Sequence, residues 1–302
     1  MTPQFLVDGL MAGALIGLGA IGVTLTYSIL GFANFAHGEF IAFGAYATLV
    51  IASAIGALVA GSDHPIGPLS ISWAIIAASV AAMGLTGAMA LTLDFLLFRR
   101  LRGKGAAISL VMASFGASMA IRASLEFGFT SRPAYFTREL QIATPIGLGL
   151  RITPDQIALL IVTAVVLMAT ITLLTRTQIG RAMRAVAENP PLARVAGVNV
   201  DHTIRVVWLI GGALASLSGV MLGLLVQIRP FMGFDLLLPL FAAAILGSIG
   251  SVPGAFLGAL IIGVGEAATV QFAGAQWRAA VAFVVLIAVL ILKPAGLFGR
   301  SS

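Results

Sequence analysis

The residues able to do chemistry are few, and three stand close together. Gly31–Phe40 reads Gly-Phe-Ala-Asn-Phe-Ala-His-Gly-Glu-Phe, placing the amide of Asn34, the imidazole of His37 and the carboxylate of Glu39 between two apolar stretches. Such groups offer hydrogen bonds, charge and proton exchange. His37 and Glu39 alone make no metal site, because zinc takes three or four protein ligands. Gly31 can close one helix, Asn34 is a good N-cap for the next, and Glu39 then sits in a first turn whose dipole favours a carboxylate. That describes a polar interfacial turn. The functional alternative is a helix break at the wall of a translocation path, its polar side chains buried in protein rather than lipid. Glu266, inside the apolar run Gly258–Phe272, is a second candidate, since an intramembrane carboxylate is functional by default. A hydrogen bond to a neighbouring helix is its plain alternative. Arg122 and Glu126 are four apart and are expected to pair at the outer interface. Asp94 is expected to be neutralised beside Arg99 and Arg100.

Two longer segments carry pattern rather than reactive groups. In Gly180–Val200, Met183, Val186 and Ala187 recur at helical spacing, with Arg181, Arg184 and Glu188 elsewhere around the helix. Asn189-Pro190-Pro191 ends that helix and can start another, and Gly197 suits a C-cap. Two short helices of this kind suit a docking platform for another subunit, or an amphipathic element resting on lipid headgroups. In Ala242–Gly258, the density of Gly, Ser and Pro breaks a helix and restarts it. Broken helices point free backbone dipoles at a ligand in several transporter folds. A tight re-entrant hairpin without ligand contacts fits the composition equally. No nucleophile–base pair is visible, which leaves little support for a membrane enzyme. No Gly-x-x-x-x-Gly-Lys-Ser/Thr loop occurs, so any ATP must be bound by another polypeptide, and no cofactor is expected.

The elements that position these residues follow from composition. Of the 302 residues, 60% are apolar and only 9% charged, against roughly 25% charged in soluble domains. So few charges cannot cover a water-exposed surface, so most of the outer surface faces lipid. The net charge of +6 needs no nucleic-acid partner, because the basic residues cluster between apolar spans. The absence of Cys excludes disulfides and Cys-based metal sites. Met1–Asp8 has no Lys or Arg and is followed by a stretch long enough to span, which argues against a cleaved signal peptide.

Runs approaching the ~20 residues that a crossing requires are Phe5–Leu30, Phe40–Ala60, Ile71–Phe98, Ile108–Glu126, Asp155–Thr175, Val206–Ile228, Leu236–Ile249, Pro253–Phe272 and Trp277–Leu292. The seventh is short, so eight or nine crossings are expected, some broken or re-entrant, in an all-α polytopic bundle. The chain reads as one membrane domain, 1–302, with a cytoplasmic segment at 176–205. Small residues recur every fourth position at Gly9, Gly13 and Gly17, at Ala215, Gly219 and Gly223, and at Gly250, Gly254 and Gly258. They let helix backbones approach closely, as generic packing or around a narrow path. Placing the loop after the third span in the cytoplasm puts Arg99, Arg100, Arg102, Lys104, Arg176, Arg181, Arg184, Arg194, Arg205, Lys293 and Arg300 inside. It leaves Arg122, Arg132, Arg138, Arg151, Arg229 and Arg278 outside. This asymmetry orients the N-terminus outward and the C-terminus inward. Phe127–Pro154 becomes a long outer connection.

Taken together, "NFAHGEF" at Asn34–Phe40, "GRAMRAVAENPPLARVAGVNV" at Gly180–Val200, "AAAILGSIGSVPGAFLGALIIG" at Ala242–Gly263 and "KPAGLFGR" at Lys293–Arg300 resemble the permease subunits of bacterial branched-chain amino acid ABC importers. The resemblance is to the shorter, H-type of two paralogous permeases and spans essentially the whole chain. It implies an ABC importer permease fold in the inner membrane and three kinds of partner: a second permease subunit, two cytoplasmic ATPase subunits and a periplasmic binding protein. It also implies that Gly180–Gly197 is the ATPase-coupling region, with Gly180, Arg181, Ala182, Asn189, Ala193 and Gly197 matching and Glu188 in a more variable stretch. Asn34, His37, Glu39 and Glu266 are then candidates to line or gate the path. A permease for urea, short amides or aromatic acids would look similar. An ion-coupled secondary transporter is the rival of another class, and it would have no use for a docking segment.

Overall fold

The computed structural model describes residues 3–102, 107–137, 141–147, 149–293 and 295–299. Lys104, Arg138 and Arg300 of the topology reading, and Pro294 of the C-terminal motif, lie outside the described residues. The helices are α1 (Gln4–Leu30), α2 (Ala36–Leu58), α3 (Trp73–Leu93), α4 (Arg99–Leu101), α5 (Ala107–Phe129), α6 (Pro154–Arg176), α7 (Gln178–Glu188), α8 (Pro190–Val195), α9 (Val200–Leu225), α10 (Met232–Leu246), α11 (Val252–Phe272) and α12 (Arg278–Leu292). A π-helical turn, Asp94–Phe98, runs α3 into α4 without a break. Among the described residues, 8 helical stretches are long and apolar enough to cross a membrane: α1, α2, Trp73–Leu101, α5, α6, α9, α11 and Ala275–Leu292. The remaining apolar helix, α10, has 15 residues. At 1.5 Å per residue it covers roughly 22 Å of a ~30 Å hydrocarbon core. The nine apolar runs therefore resolve into eight helices long enough to cross on their own and one shorter helix, in a polytopic helical membrane bundle.

Helix α1 is the hub. Its apolar stretch is 78% buried within the chain, against 17% for α6, which lies on the outside of the bundle. Glycines explain how α1 gets so close to α11. A Cβ on Gly9 would stand 2.6 Å from Val264 Cα, and one on Gly13 would stand 2.8 Å from Leu260 Cα. Gly219 of α9 likewise lies against the Ile41 carbonyl of α2, and Gly258 of α11 against that of Ala243 in α10. The four-residue repeats are thus realised as close helix packing. Gly250 departs from the pattern: it sits in the α10–α11 turn with φ 92° rather than on a helix face.

Polar pins hold the connections. Asp155, in the first turn of α6, accepts from the Ser70 amide at 2.9 Å and from its hydroxyl, tying down the α2–α3 loop. The outer connection holds a short antiparallel hairpin, β1 (Thr144–Gly147) and β2 (Leu150–Ile152), that the all-helical reading missed. It is fixed to α1 by Gln4, whose side chain bonds the Arg151 amide and carbonyl at 2.9 and 3.0 Å. Asn199 caps α9 by accepting from His202 N at 2.9 Å, so this helix begins six residues before its apolar run. Asp94 pairs with Arg102, not with Arg99 or Arg100. Burial draws the Arg102 guanidinium below its ordinary value, and the Asp201 carboxylate opposes that shift.

Candidate functional site

The turn after α1 is built as its glycine suggests. Gly31 has φ 72°, and its amide bonds the Tyr27 carbonyl at 2.8 Å. Helix α2 begins at Ala36, not directly after Asn34. The Asn34 side chain instead accepts from Ala36 N at 3.1 Å and its carbonyl from His37 N at 3.2 Å, so it shapes the turn one residue ahead of the helix. His37 is fully buried between α1 and α2, with Nε2 3.2 Å from the Gly19 carbonyl. Gly22 makes room for it: a Cβ there would stand 2.7 Å from His37 Cε1.

Glu39 has no surface exposure and is the anchor of a charged cluster. One carboxylate oxygen accepts from Ser118 Oγ at 3.1 Å and from Arg122 Nε and Nη2 at 3.1 and 2.6 Å, all from α5. The Arg122 guanidinium carbon also lies 4.3 Å from the Phe234 ring centre and 5.1 Å from that of Phe231, a cation–π contact with the start of α10. This corrects the expected Arg122–Glu126 pair: Arg122 turns inward to Glu39, and Glu126 accepts from Ser131 Oγ at 2.6 Å. Spacing along one helix could not show that a carboxylate from another helix competes for the arginine. Helices α2 and α10 can meet here because both carry glycine. A Cβ on Gly38 would stand 2.5 Å from the Gly233 carbonyl oxygen, and one on Gly233 would overlap the Gly38 carbonyl.

Glu266 lies elsewhere, on the wall of a cavity of about 680 Å³ bounded by the starts of α1, α6, α10 and α12 and the ends of α9 and α11. Its Oε2 accepts from Arg278 Nε at 2.8 Å. A second, apolar cavity of about 630 Å³ runs along the other side of α10, lined by Tyr27, Phe35, Phe241 and Ile245 among others. Asp235 and Leu238 border both cavities. The four path candidates are therefore not gathered in one place. Glu266 borders a cavity, Glu39 belongs to a buried ion pair, His37 fills a helix contact and Asn34 forms a turn.

The α10–α11 break is self-satisfied. Ser248 and Gly250 have φ of 76° and 92°, and Gly250 N bonds Thr24 Oγ1 at 2.7 Å. The free carbonyl of Leu246 is met by Leu297 N at 2.8 Å, so the C-terminal segment closes the end of α10. Ser251 caps α11 through Gly254 N at 3.2 Å. Thr24, Leu297 and Ser251 thus take up backbone groups on both sides of the break.

Helices α7 and α8 lie between α6 and α9, at the opposite end of the bundle from the larger cavity, because α6 leads away from it and α9 returns to it. Met183 and Val186 are buried, whereas Ala187 of the same spacing is exposed. Gly180 is buried against the Leu173 and Leu174 carbonyls, where a Cβ would overlap both. The Asn189 side chain caps α8 through Leu192 N at 3.0 Å, Ala193 is buried, and Gly197 ends the helix with φ 85°. Ala182 is half-buried. Of the expected coupling residues, Arg181 and Glu188 present long side chains outward.

Comparison with known proteins bears directly on this arrangement. A family profile described as "Branched-chain amino acid transport system / permease component" matches residues 5–290. The chain belongs to this family. The branched-chain amino acid permease protein LivH of Salmonella typhimurium is 33% identical, covering 99% of this chain and 98% of its own. BraD of Pseudomonas aeruginosa, a permease protein of the same kind, is 34% identical over 98% and 95%. A solved structure, PsaBC from Streptococcus pneumoniae in complex with Fab, shares the fold with TM-score 0.51 at 12% identity, covering 98% and 94%. The permease-family chain is thus a multi-pass inner-membrane protein, in line with its eight apolar spans. Two features of this permease escaped the sequence reading. Leu192 and Val195 of α8 are 64% and 86% exposed beside Pro190 and Pro191, an apolar patch on a segment outside the spans. Their spacing of three, one turn apart on a short helix, is the signal the sequence carries for this patch. The partners Arg229, Asp235 and Arg278 lie at span ends and gave no signal.

Proposed function

We propose that this chain is one of a pair of permease subunits in an ATP-driven importer that moves branched-chain amino acids inward, with ATP hydrolysed by two separate subunits docked on α7–α8. The observation that carries the reading is the α7–α8 pair itself. Gly180, Asn189, Ala193 and Gly197 fix its frame by close packing, capping and a left-handed turn. That frame holds Glu188, Leu192 and Val195 outward, and exposed apolar side chains on a rigid frame suit a protein partner. The chain acts as a single membrane domain with its N-terminus outside and C-terminus inside, so that α7–α8 meets the cytoplasm. The larger cavity then opens outward, where a periplasmic binding protein releases substrate. Movement of the docked helices by ATP links nucleotide state to permease conformation through differential affinity. Glu266 borders the path, while Glu39 holds the wall at the α2–α10 crossing, His37 holds the α1–α2 contact and Asn34 shapes the turn ahead of α2. Co-purification with the ATPase subunits and ATP-dependent uptake of leucine into proteoliposomes, with binding protein added, are the expected results. A complete complex that hydrolyses ATP and takes up no leucine, isoleucine or valine would overturn the substrate assignment.

A further inference from the structure

The outward cavity carries charges that its packing does not require. Arg229 pairs with Asp235 at 2.8 Å, and the two side chains are 48% and 50% exposed. Exposed pairs of this kind add little stability. Arg278 meets Glu266 through Nε alone, and its side chain is 54% exposed although Glu266 is 4% exposed. Among the described residues, no protein acceptor bonds the terminal guanidinium nitrogens of Arg278, and only Asp235 bonds those of Arg229. Both arginines and both carboxylates line the same cavity together with Asp8, which accepts from Gln4 Nε2 at 3.3 Å, and the remaining wall includes Met11, Leu15 and Leu236. Two cations with free donors, three carboxylates and an apolar wall therefore share one concave space large enough for a small solute.

We propose that this cavity is a binding site for the zwitterionic head of an α-amino acid. The arginines hold the substrate carboxylate, Glu266 and Asp235 hold its ammonium group, and Leu15 and Leu236 face its aliphatic side chain. Each resident ion pair opens to exchange one protein partner for a substrate charge, so the four charges of the two pairs stay matched on binding. An apolar site without these four groups would have to desolvate both substrate charges uncompensated. This inference rests on the permease reading and adds to it the site and the chemistry of recognition.

The absence of Cys from the chain makes the test direct. Gln271 borders the cavity and is exposed, so Gln271→Cys gives a single thiol there for a water-soluble maleimide. In the assembled transporter, leucine is expected to slow labelling at least threefold, whereas leucinamide and 4-methylpentanoate, each lacking one charge, leave the rate unchanged. Adding Arg229→Gln and Asp235→Asn together should raise the leucine concentration needed for protection about tenfold or more, the range for losing a charge-assisted hydrogen bond. Exchanging that pair, Arg229→Asp with Asp235→Arg, separates the roles. A merely structural pair tolerates the exchange, whereas a substrate-orienting pair loses protection. Leucine uptake without leucine protection, or equal protection by all three compounds, would overturn the site while the permease reading stands. Protection without any leucine uptake would support the site and count against the permease reading.

Discussion

Removing Arg122 should hurt the fold more than removing both Arg122 and Glu39. Glu39 has no exposure, and Arg122 supplies two of the three hydrogen bonds to its bonded oxygen. Arg122→Met leaves a buried carboxylate with only Ser118, a defect that costs about 3–5 kcal/mol in comparable buried pairs. Loss of the contacts to Phe231 and Phe234 adds about 0.5–1 kcal/mol. Glu39→Gln removes the charge but keeps an amide that Ser118 and Arg122 can still bond, and the arginine remains over the two rings. Its cost is about 1–3 kcal/mol, the range for hydrogen bonds to charged groups. In the double variant no carboxylate is left unmatched, so Glu39→Gln should recover about 1–2 kcal/mol of the Arg122→Met loss. Unfolding of the purified chain in mixed micelles of rising dodecyl sulfate fraction measures all three. A double variant less stable than Arg122→Met, by the full cost of Glu39→Gln, would refute the pairing and return Arg122 to an interfacial role.

Gly38→Ala places a methyl against the Gly233 carbonyl and should sharply lower the yield of folded chain, with Gly38→Val worse, as read by size-exclusion profiles in detergent. Gly197→Pro demands φ near −65° where the backbone has 85°. It should disrupt the end of α8 and uncouple ATP hydrolysis from uptake, measured together in proteoliposomes. Leu192→Asp with Val195→Asp alters exposed side chains only, so the permease should fold normally yet lose co-purification of ATPase subunits, and undiminished capture would count against docking there. Pro239→Ala restores an amide hydrogen that the Asp235 carbonyl lacks, and should stabilise α10 by a measurable shift in the same micelle titration.

The span count was legible because lipid imposes a length and a composition that sequence shows directly. Gly31, Asn189 and Gly197 were legible because capping is local chemistry, decided within a few residues. Asn34 shows the limit of that locality. Its amide does bond the start of α2, but the helix begins at Ala36. The ion pairs were not legible. Arg122 finds Glu39 from 83 residues away, and a charge at a span end carries no mark of which helix will face it. The hairpin β1–β2 was hidden for a related reason: two strands of four and three residues leave too little alternation to read.

Helix α10 shows why position, more than residue type, sets the roles of the polar groups. It is shorter than a full span, it contains Pro239, and the bond lost at that proline is the one to Asp235. Asp235 and Leu238 are also where the polar and apolar cavities share a wall. On one flank the glycine crossing with α2 fixes its start, and at its end Leu297 and the Gly247–Gly254 contact fix its finish. Both ends are therefore held by backbone-to-backbone contact, and the ladder is interrupted between them. A short helix anchored at both ends and weakened at the cavity wall concentrates its freedom at the polar residues beside the larger cavity. Glu39, for all its burial and charge, sits at one of the anchors, while Glu266 and Asp235 border the space between.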